Sequence, residues 1–501
     1  MHFERCSGIL LPIRSLPSKW GIGDIGDSAK EFLDFLNESN QKIWQILPVL
    51  SYPLKGYSPY SSVSAFAGNI LLISPEILER DGFLKKKDLK KFLKNVKNSE
   101  FIDYKNVLWV KRKILEKAYE HFKLEKIFFK EFNSFCRKNR FWLDDFASFV
   151  VFYRYFGKEN WFEWPKFARD KTSKISFLKK ELKEEINKEE FFQFLFYRQW
   201  FLLRDYSNKR GIKLFGDIPI YVDYNSSDVW SNPHIFKLDR KTKKMKFVSG
   251  APPDYFSENG QLWGNPVYNW KTLRNTFYKW WILRVKHSLK MYDLLRIDHF
   301  RGFVAYWEVS AKSRTAKNGK WVKAPVYDFL KKLKNRFHKE LPIIAEDLGY
   351  ITDDVREVMR KFELPGMKVL MFAFDGNPNN PYLLHNHTKN SVVYTGTHDN
   401  NTVVGWFRKE AGKVEKENLS RYAGINVTER NVADVFIRFA MMSPSNICII
   451  PFQDILGLNE KARINKPSTI RNNWIWKLNE KYLNKYNSIR LKTLTEIYGR
   501  K

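Results

Sequence analysis

The chain has 501 residues, of which 44% are hydrophobic and 28% charged, so it can bury a large core and is too apolar for wholesale disorder. Its 87 Lys and Arg exceed its 55 Asp and Glu, which gives a formal net charge of +32. The lysines are spread along the chain rather than gathered in one arm or tail, and we therefore expect no nucleic-acid partner.

The cysteines and the hydropathy pattern indicate the cellular compartment of the protein. Cys6, Cys136 and Cys448 are far apart and form no CxxC pair, which argues against a zinc cage and against a disulfide framework. The first residues have no apolar stretch typical of a secretion signal, and no apolar run reaches the roughly 18 residues of a membrane helix. These features predict a cytoplasmic protein with no membrane partner, and we expect neither a cofactor nor a bound metal.

Short apolar segments recur along the chain, and several of them end in a polar residue. They span residues 8–12, 42–47, 213–217, 293–298, 342–347, 368–372, 391–395 and 446–451. Near-continuous apolar strands of this kind are typical of a parallel sheet that is covered on both faces.

Helical patterns separate most of these segments. Residues 28–36 predict a helix capped by Asp27, and residues 326–338 predict an amphipathic helix. Another helix is predicted to be capped at Thr352 and to end at Phe362. The alternation of eight strands with helices predicts an α/β fold, a (β/α)8 TIM barrel.

A barrel of this type needs only about 250 residues, so large insertions are expected at its C-terminal face. We interpret residues 1–501 as a single catalytic barrel domain with two such insertions. The first, 75–205, is predicted to be mostly helical and opens with Ser74-Pro75, a cap followed by proline at the first helical position. The second, 218–290, is rich in Pro, Gly, Asn and Trp and is predicted to be irregular with short strands.

The predicted strand ends are acidic, and active sites of such barrels lie where the strands end. The acidic residues at or just after these ends are Asp217, Asp298, Glu346, Asp399 and Asp454. Retaining glycoside hydrolysis or transfer requires two carboxyl groups, one as nucleophile and one as acid/base. Each of these residues could instead cap a helix or pair with an arginine.

Arg296 and Asp298 are two residues apart on a predicted strand, so their side chains should point to the same face. The arginine is expected to lower the pKa of Asp298 and keep it ionised, as a nucleophile requires. The alternative is a purely structural ion pair.

Two further strand ends carry polar side chains of interest. Partial burial would raise the pKa of Glu346 and suit it to act as a general acid, whereas the alternative is that Glu346 and Asp347 cap the following helix. His398 and Asp399 could hydrogen-bond adjacent sugar hydroxyls and stabilise a cationic transition state, or serve as a packed histidine and a helix cap.

Other motifs point to different chemistry. Gly21, Gly23 and Gly26 have the spacing of a dinucleotide fingerprint, but no strand runs directly into them. His385 and His387 could ligate a metal, although a spacing of two on a loop favours solvent-exposed histidines. No Gly-x-Ser-x-Gly elbow of a serine hydrolase occurs.

An ordered series of motifs extends over nearly the whole chain. It comprises GIGDIG at 21–26, WQILP at 44–48, SPY at 58–60, SAFAGN at 64–69, GDIPI at 216–220, GAPPDYF at 250–256, GQLWGNP at 260–266, RIDHFRG at 296–302, AEDLG at 345–349, GTHDN at 396–400, QD at 453–454, ARINKP at 462–467 and NW at 473–474. This series resembles that of the 4-alpha-glucanotransferases (amylomaltases or disproportionating enzymes), which are related to the alpha-amylases.

The resemblance implies transfer of a segment of an alpha-1,4-glucan to the 4-OH of an acceptor glucose or glucan, by a retaining double displacement. Maltooligosaccharides would be donors and acceptors, and glucose an acceptor or product. It implies Asp298 as nucleophile, Glu346 as acid/base and Asp399 as the group that stabilises the transition state. It also implies a loop at 250–255 that overhangs the cleft. The substrate-binding residues that it implies are Tyr60, Asp217, Trp263, Arg296, His299 and His398.

Two alternatives remain open at this point: a retaining alpha-glucan hydrolase with the same carboxylates, and a non-catalytic carbohydrate- or RNA-binding protein that uses its basic surface. The chain departs from the family pattern at Ile70, Asn225 and Asn472, where Pro, Asp and Gly are common. These departures concern loop shape and acceptor binding rather than the three carboxylates.

Overall fold

The strands form two sheets in the computed structural model, which describes residues 4–52, 56–97, 99–253, 258–337, 341–469 and 471–501. The strands are β1 (Cys6–Leu10), β2 (Ile43–Gln45), β3 (Lys213–Ile218), β4 (Phe247–Ala251), β5 (Gln261–Pro266), β6 (Leu294–Ile297), β7 (Ala305–Ser310), β8 (Lys320–Lys323), β9 (Ile343–Ala345), β10 (Gly366–Val369), β11 (Ser391–Tyr394) and β12 (Ile447–Pro451).

The larger sheet is a parallel barrel. Its eight strands follow the order β10-β11-β12-β1-β2-β3-β6-β9, and every neighbouring pair is parallel. The two end strands also approach each other, because the backbone N–H of Ala345 donates to the carbonyl of Pro365 at 2.9 Å. The predicted (β/α)8 barrel is therefore confirmed, and all eight predicted apolar segments contribute strands to it.

The helices account for more of the chain than the strands do. They are α1 (Asp27–Glu38), α2 (Pro75–Arg80), α3 (Lys86–Leu93), α4 (Tyr104–Glu125), α5 (Phe129–Phe156), α6 (Lys166–Arg169), α7 (Ile175–Glu181), α8 (Lys183–Lys209), α9 (Ser227–Ser231), α10 (Trp270–Asn275), α11 (Lys279–Met291), α12 (Val326–Phe337), α13 (Asp353–Lys361), α14 (Val403–Lys409), α15 (Lys413–Ala423), α16 (Val432–Met442), α17 (Phe452–Ile455) and α18 (Lys485–Ile497). Within the described ranges, none of them combines the length and the apolar character that crossing a membrane requires.

Part of this set forms the outer layer of the barrel. α1 contacts α8 and α18, α8 contacts α11, and α16 contacts both α18 and β12. The connection from β10 to β11, all of which is described, has two short 3-10 turns, Leu370–Phe372 and Leu384–Asn386, in place of an α-helix. The barrel is thus closed by strands all round but covered by helices unevenly.

The first insertion is built from helices. Residues 75–205 hold α2 to α7 and most of α8, which continues to Lys209 before β3 begins. Pro75 occupies the first helical position of α2 after Ser74, as the sequence predicts. α5 packs along α8, and α8 in turn contacts β3, so this insertion rests directly on the barrel.

The second insertion is less irregular than predicted. Its strands β4 and β5 combine with β7 and β8 in an antiparallel sheet of order β5-β4-β7-β8. The same range, 218–290, also contains α9, α10 and the 13-residue helix α11, which contacts β3 and β6. The prediction of an irregular segment is wrong for α11, because its residues form part of the helical layer around the barrel.

Several predicted boundaries need correction. Asp27 is the first residue of α1, and Gly26 rather than Asp27 occupies the N-cap position. Thr352 lies at the N-cap of α13 but makes no side-chain capping bond, and Phe362 is its C-cap as expected. The strand predicted at 368–372 lies two residues earlier, at β10.

Two further predictions concern single residues. His338, the predicted end of the helix that forms α12, lies outside the described residues. Asn472, which replaces a common glycine, has a φ of +62°. Asparagine tolerates this left-handed conformation better than most residues, so the departure from glycine is accommodated.

Candidate active site

Strand register places the acidic side chains at one end of the barrel. Asp217 on β3 is the backbone partner of Arg296 on β6, and Ile297 on β6 is the partner of Ala345 on β9. Asp298 and Glu346 follow these last two residues directly, so they emerge from adjacent strands at the same edge. The four residues therefore meet at the C-terminal face, where the fold places active sites.

Arg296 connects the first two carboxylates. Its Nη1 donates to Asp217 Oδ2 and its Nη2 donates to Asp298 Oδ1, both at 2.5 Å. This confirms that residues 296 and 298 point to the same face. The side chain of Asp217 has no exposed surface, whereas that of Asp298 is 29% exposed. Asp217 thus pairs with the arginine on its buried side, and Asp298 is the carboxylate that faces outward.

Tyr60 adds a second donor to this buried group. Its hydroxyl donates to Asp217 Oδ2 at 2.7 Å and lies 3.4 Å from Arg296 Nη1. Desolvation, with the negative charge of Asp217 next to it, raises the pKa of the Tyr60 hydroxyl well above its ordinary value. The hydroxyl therefore stays protonated and remains a donor.

The predicted pKa of Asp298 is wrong in direction. Desolvation raises the pKa of Asp298 to about 7; Arg296 opposes this shift, and Asp217, Glu346 and Asp399 add to it. The sequence shows the neighbouring arginine but not the three carboxylates that converge from other strands.

Glu346 is held by the chain around it. Its Oε2 accepts the backbone N–H of His299 at 2.7 Å, and its Oε1 accepts the backbone N–H of Leu348 at 2.7 Å. Desolvation nevertheless raises the pKa of Glu346, although Arg296 and these two N–H donors oppose the shift. The raised pKa agrees with the expectation for a general acid.

The alternative that Glu346 and Asp347 cap the next helix is wrong. Thr352 occupies that N-cap position. Asp347 Oδ1 instead accepts the backbone N–H of Met367 at 2.7 Å, which ties the loop after β9 to β10.

His299 and Trp263 lie beside this pair. His299 has a left-handed backbone with a φ of +51°, and its ring meets the Trp263 ring edge to face at 4.7 Å between centroids. Trp263 is on β5, so the small antiparallel sheet reaches the barrel mouth. The overhanging loop predicted at 250–255 lies partly outside the described residues, because Asp254 and Tyr255 are not described.

Asp399 is placed by a different set of contacts. Its Oδ1 accepts Asn465 Nδ2 at 2.6 Å, and its Oδ2 lies 3.3 Å from His398 Nε2. Desolvation alone would raise the pKa of Asp399, but His398 and Asn465 hold it well below its ordinary value. The side chain is 43% exposed and therefore accessible as an ionised carboxylate.

His398 joins Asp399 to the tyrosine. Its ring is nearly parallel to the Tyr60 ring at 5.1 Å, and it lies 6.0 Å from the Trp474 ring. The residue is only 3% exposed. His398 therefore couples the end of β11 to the buried Asp217–Arg296 pair through Tyr60.

Residues of the ARINKP motif contact the end of β11, although the sequence predicts no role for them or for the NW motif. Arg463 Nη2 donates to the backbone carbonyl of Asp399 at 2.8 Å, and its Nη1 pairs with Glu410 Oε1 at 2.8 Å. The backbone N–H of Asn465 donates to the carbonyl of His398 at 3.1 Å. No local spacing reveals these contacts, since they join residues more than 50 positions apart.

The remaining motifs have structural partners. Both ring nitrogens of His385 and His387 lie within hydrogen-bonding distance of protein oxygens, and His387 is buried rather than exposed as expected. No cluster of three or more His, Cys, Asp or Glu suited to a metal occurs in the described part of the chain. A Cβ at Gly23 would meet the Ile13 carbonyl at 2.1 Å, so this glycine serves close backbone packing.

Asp454 is also buried beside the site. It accepts the Thr395 hydroxyl at 2.6 Å and the backbone N–H of Val403 at 2.8 Å. It therefore links β11 to the start of α14.

Comparison with known proteins gives one consistent family. A family model described as 4-alpha-glucanotransferase matches residues 11–483. The chain is 46% identical to a 4-alpha-glucanotransferase of Clostridium butyricum over 490 residues, which cover 97% of this chain and 99% of that protein. It is 44% identical to one of Aquifex aeolicus (strain VF5) over 498 residues, 99% of each chain. A solved amylomaltase from Streptococcus agalactiae in complex with acarbose superposes with a TM-score of 0.95 at 38% identity, over 99% of this chain and 100% of that one.

Proposed function

The chain belongs to the 4-alpha-glucanotransferase family, whose members act on alpha-1,4-glucans by a retaining mechanism, and we propose that Asp298, Glu346 and Asp399 carry out this reaction in it. One hydrogen bond is the main support for this proposal. His299, the residue that follows Asp298, donates its backbone N–H to Glu346, which ties the acid/base to the loop that carries the nucleophile. Retaining enzymes need such a pair, separated by about 5–5.5 Å.

Asp298 is the nucleophile. Its carboxylate attacks the anomeric carbon of the donor while the bond from that carbon to the glycosidic oxygen breaks, and a covalent glycosyl ester forms. Arg296 favours the ionised state of Asp298 through its direct ion pair, and Asp217 and Tyr60 hold Arg296 in place. Arg296, Tyr60 and Asp217 therefore position the nucleophile.

Glu346 is the acid/base. It donates its proton to the departing glycosidic oxygen in the first step, and it accepts a proton from the acceptor 4-OH in the second, as that oxygen displaces Asp298. The two inversions leave the anomeric configuration unchanged. Desolvation raises the pKa of both carboxyls, and the ion pair with Arg296 favours placement of a shared proton on Glu346 rather than on Asp298.

Asp399 stabilises the transition state. The reacting sugar acquires positive charge at its ring, and a carboxylate with a lowered pKa stays ionised opposite that charge. His398 and Asn465 fix the orientation of Asp399, and His299 and Trp263 line the mouth beside Glu346. His398, His299 and Trp263 thus complete the sugar-binding surface.

The donors and acceptors are maltooligosaccharides and longer alpha-1,4-glucans, with glucose as the smallest acceptor and product. Transfer exceeds hydrolysis where an acceptor hydroxyl is bound and water is excluded from the covalent intermediate. A hydrolase with the same carboxylates would consume water instead. The two reactions therefore differ in products and not in the residues used.

The test incubates the protein with maltotriose and measures reducing ends and glucose with time. Transfer releases glucose and longer oligosaccharides while the number of reducing ends stays constant, since each broken glycosidic bond is replaced. A steady rise in reducing ends would identify hydrolysis.

The residue assignment is tested with Asp298→Asn. We expect turnover to fall by at least about 10⁴-fold, because no covalent intermediate can form, while glucan binding is retained. The matched control is Asp205→Asn, which changes an aspartate on α8 that is 63% exposed and remote from the barrel mouth. Turnover near the wild-type rate in Asp298→Asn would refute the proposed nucleophile.

We propose that the protein is cytoplasmic, as the number and wide spacing of its three cysteines predict. Cys6, Cys136 and Cys448 are all free thiols. Thiols persist in a reducing compartment.

A further inference from the structure

Exposed tryptophans are few in this aromatic-rich chain. All 17 tryptophans lie in the described ranges, and the most exposed are Trp109, Trp263 and Trp321, at 52%, 36% and 36%. Trp263 contacts His299 in the candidate active site. Trp321 belongs to β8 and has no place in the reaction described above. A single exposed ring needs no special explanation, so the neighbours of Trp321 decide whether it belongs to a binding surface.

Trp321 is part of a cluster with an arginine and a tyrosine. The guanidinium carbon of Arg301 lies 3.9 Å from the centre of the Trp321 ring and 5.6 Å from that of Tyr350. Arg301 itself is buried, whereas Tyr350 is 71% exposed. We refer to Trp321, Arg301 and Tyr350 together as the Arg301 cluster.

The cluster is fixed before any ligand arrives. Arg301 Nη1 donates to Thr352 Oγ1 at 2.8 Å, which holds the arginine against the loop that follows β9. The ring of Trp307 on β7 meets that of Trp321 at 5.2 Å, and Trp307 Nε1 donates to the Ala316 carbonyl at 2.8 Å. A preformed aromatic surface binds with a smaller loss of conformational entropy.

Two members of the Arg301 cluster, Arg301 and Tyr350, lie on the loops that carry the catalytic pair. Arg301 comes three residues after Asp298, in the turn Phe300–Phe303, and Tyr350 comes four residues after Glu346. The cluster is therefore tied to the side of the barrel mouth where β6 and β9 end, and away in sequence from the β11 end that carries Asp399.

We propose that the Arg301 cluster is a binding subsite for the acceptor part of an alpha-1,4-glucan, an inference that rests on the roles proposed for Asp298 and Glu346. The acid/base lies beside the oxygen that passes between the leaving and the accepting sugars. Residues that extend outward from the Glu346 loop would therefore contact the acceptor sugars, which lie beyond that oxygen. An acceptor of several sugars reaches the cluster, whereas glucose occupies only the place next to Glu346.

The chemistry of the cluster suits a neutral sugar chain. The apolar face of a pyranose ring packs on an exposed aromatic ring, and Tyr350 offers most of its surface for this. Among the described residues, Arg301 Nε is buried and has no hydrogen-bond partner. Because this N–H is buried, Arg301 orients the Trp321 ring, and the exposed aromatic faces make the contact with the sugar.

The experiment measures the acceptor KM with a saturating soluble-starch donor, for glucose, maltose and maltotetraose in turn. We expect Tyr350→Ala and Trp321→Ala to raise the KM for maltotetraose by about three- to tenfold, the loss expected for one aromatic contact. The rise should be smaller for maltose and smallest for glucose. Tyr350→Phe should restore most of the maltotetraose affinity, because it keeps the ring.

Matched controls separate this subsite from general effects. Tyr486→Ala and Trp109→Ala remove aromatic rings that are 75% and 52% exposed elsewhere on the surface, and neither should change any acceptor KM. Because Trp321 also packs on Trp307, the more exposed Tyr350 provides the decisive variant if Trp321→Ala is unstable.

Two results would overturn the proposal. If Tyr350→Ala shows the wild-type dependence of KM on acceptor length while the wild-type protein transfers glucan normally, the subsite is refuted and the proposed reaction stands. If the wild-type protein transfers nothing to any acceptor, the proposed reaction fails and the subsite with it.

Discussion

Asp298 and Asp399 lie at the same barrel mouth, yet their surroundings move their pKa values in opposite directions. On the β6–β9 side, desolvation and neighbouring carboxylates raise the pKa of Asp298 to about 7, although Arg296 is bound to it. On the β11 side, His398 and Asn465 hold the pKa of Asp399 well below its ordinary value.

The difference in pKa follows from the charged and hydrogen-bonding groups that surround each aspartate. The β6–β9 side has three carboxylates around one guanidinium, namely Asp217, Asp298 and Glu346 around Arg296. The β11 side gives a single carboxylate two donors of its own. One side is therefore suited to move a proton, and the other to keep a fixed negative charge. Variants that disturb one side should therefore show whether the other side responds.

Arg296→Lys should have the largest effect of these. A lysine cannot bridge Asp217 and Asp298 as a forked guanidinium does, so the nucleophile loses its support and its orientation. We expect kcat to fall by about 10²–10³-fold, comparable to the loss of one preorganised electrostatic contact. The measurement is steady-state transfer from maltotriose.

The pH profile gives this variant a second readout. Asp298 must be ionised to attack, and weaker pairing with a cation raises its pKa further. The acidic limb of kcat/KM should therefore move to higher pH, and a limb that stays in place or moves down would contradict the role given to Arg296. Arg198→Lys is the control, because Arg198 makes a comparable two-bond contact to Asp81 within the helical insertion.

The error in the predicted pKa of Asp298 shows where sequence reasoning stops. Arg296 is two positions away and visible in the sequence, whereas Asp217 and Glu346 approach only because β3, β6 and β9 are neighbours in the barrel. The strand ends could be predicted because continuous apolar runs specify buried parallel strands. The balance of charge between those ends depends on tertiary geometry.

The predicted end of the strand at 368–372 is wrong for a related reason. Residues 370–372 are apolar and mostly buried, like a strand, but they form a 3-10 turn after β10. Hydrophobicity reports burial and does not distinguish a strand from a short turn. The contacts of Asn465 with Asp399 likewise have no local signature, since 66 positions separate the two residues.

Asn465→Ala tests the β11 side and should have an intermediate effect. It removes the 2.6 Å donor to Asp399 but keeps the backbone N–H that bonds to His398. A hydrogen bond to a charged group contributes about 1.5–3 kcal/mol, so we expect kcat/KM to fall by about 10- to 10²-fold. The acidic limb assigned to Asp298 should stay nearly where it is.

The control for this variant is Asn390→Ala, which removes an exposed side-chain bond to the Glu363 carbonyl. Kinetics indistinguishable from wild type in Asn465→Ala would mean that His398 alone positions Asp399. A large shift of the acidic limb would mean that the two sides are not electrostatically separate.

Tyr60→Phe should have the smallest effect, and it tests a side chain that touches both sides. The hydroxyl contacts Asp217 and lies near Arg296, while the ring stacks on His398. Phenylalanine keeps the stacking and removes only the hydroxyl, and Asp217 still has its bond to Arg296. We therefore expect kcat to fall by only about threefold, with little change in KM.

Tyr60→Ala, compared with Tyr60→Phe, separates the contribution of the ring from that of the hydroxyl. It removes the ring as well, so His398 loses its packing partner and Asp399 loses part of its alignment. If the ring is what joins the two sides, Tyr60→Ala should lower kcat far more than Tyr60→Phe and should raise the KM for maltotriose. Equal losses in the two variants would instead place the whole contribution of Tyr60 in its hydroxyl, on the β6–β9 side, because only the loss of the hydroxyl is common to both.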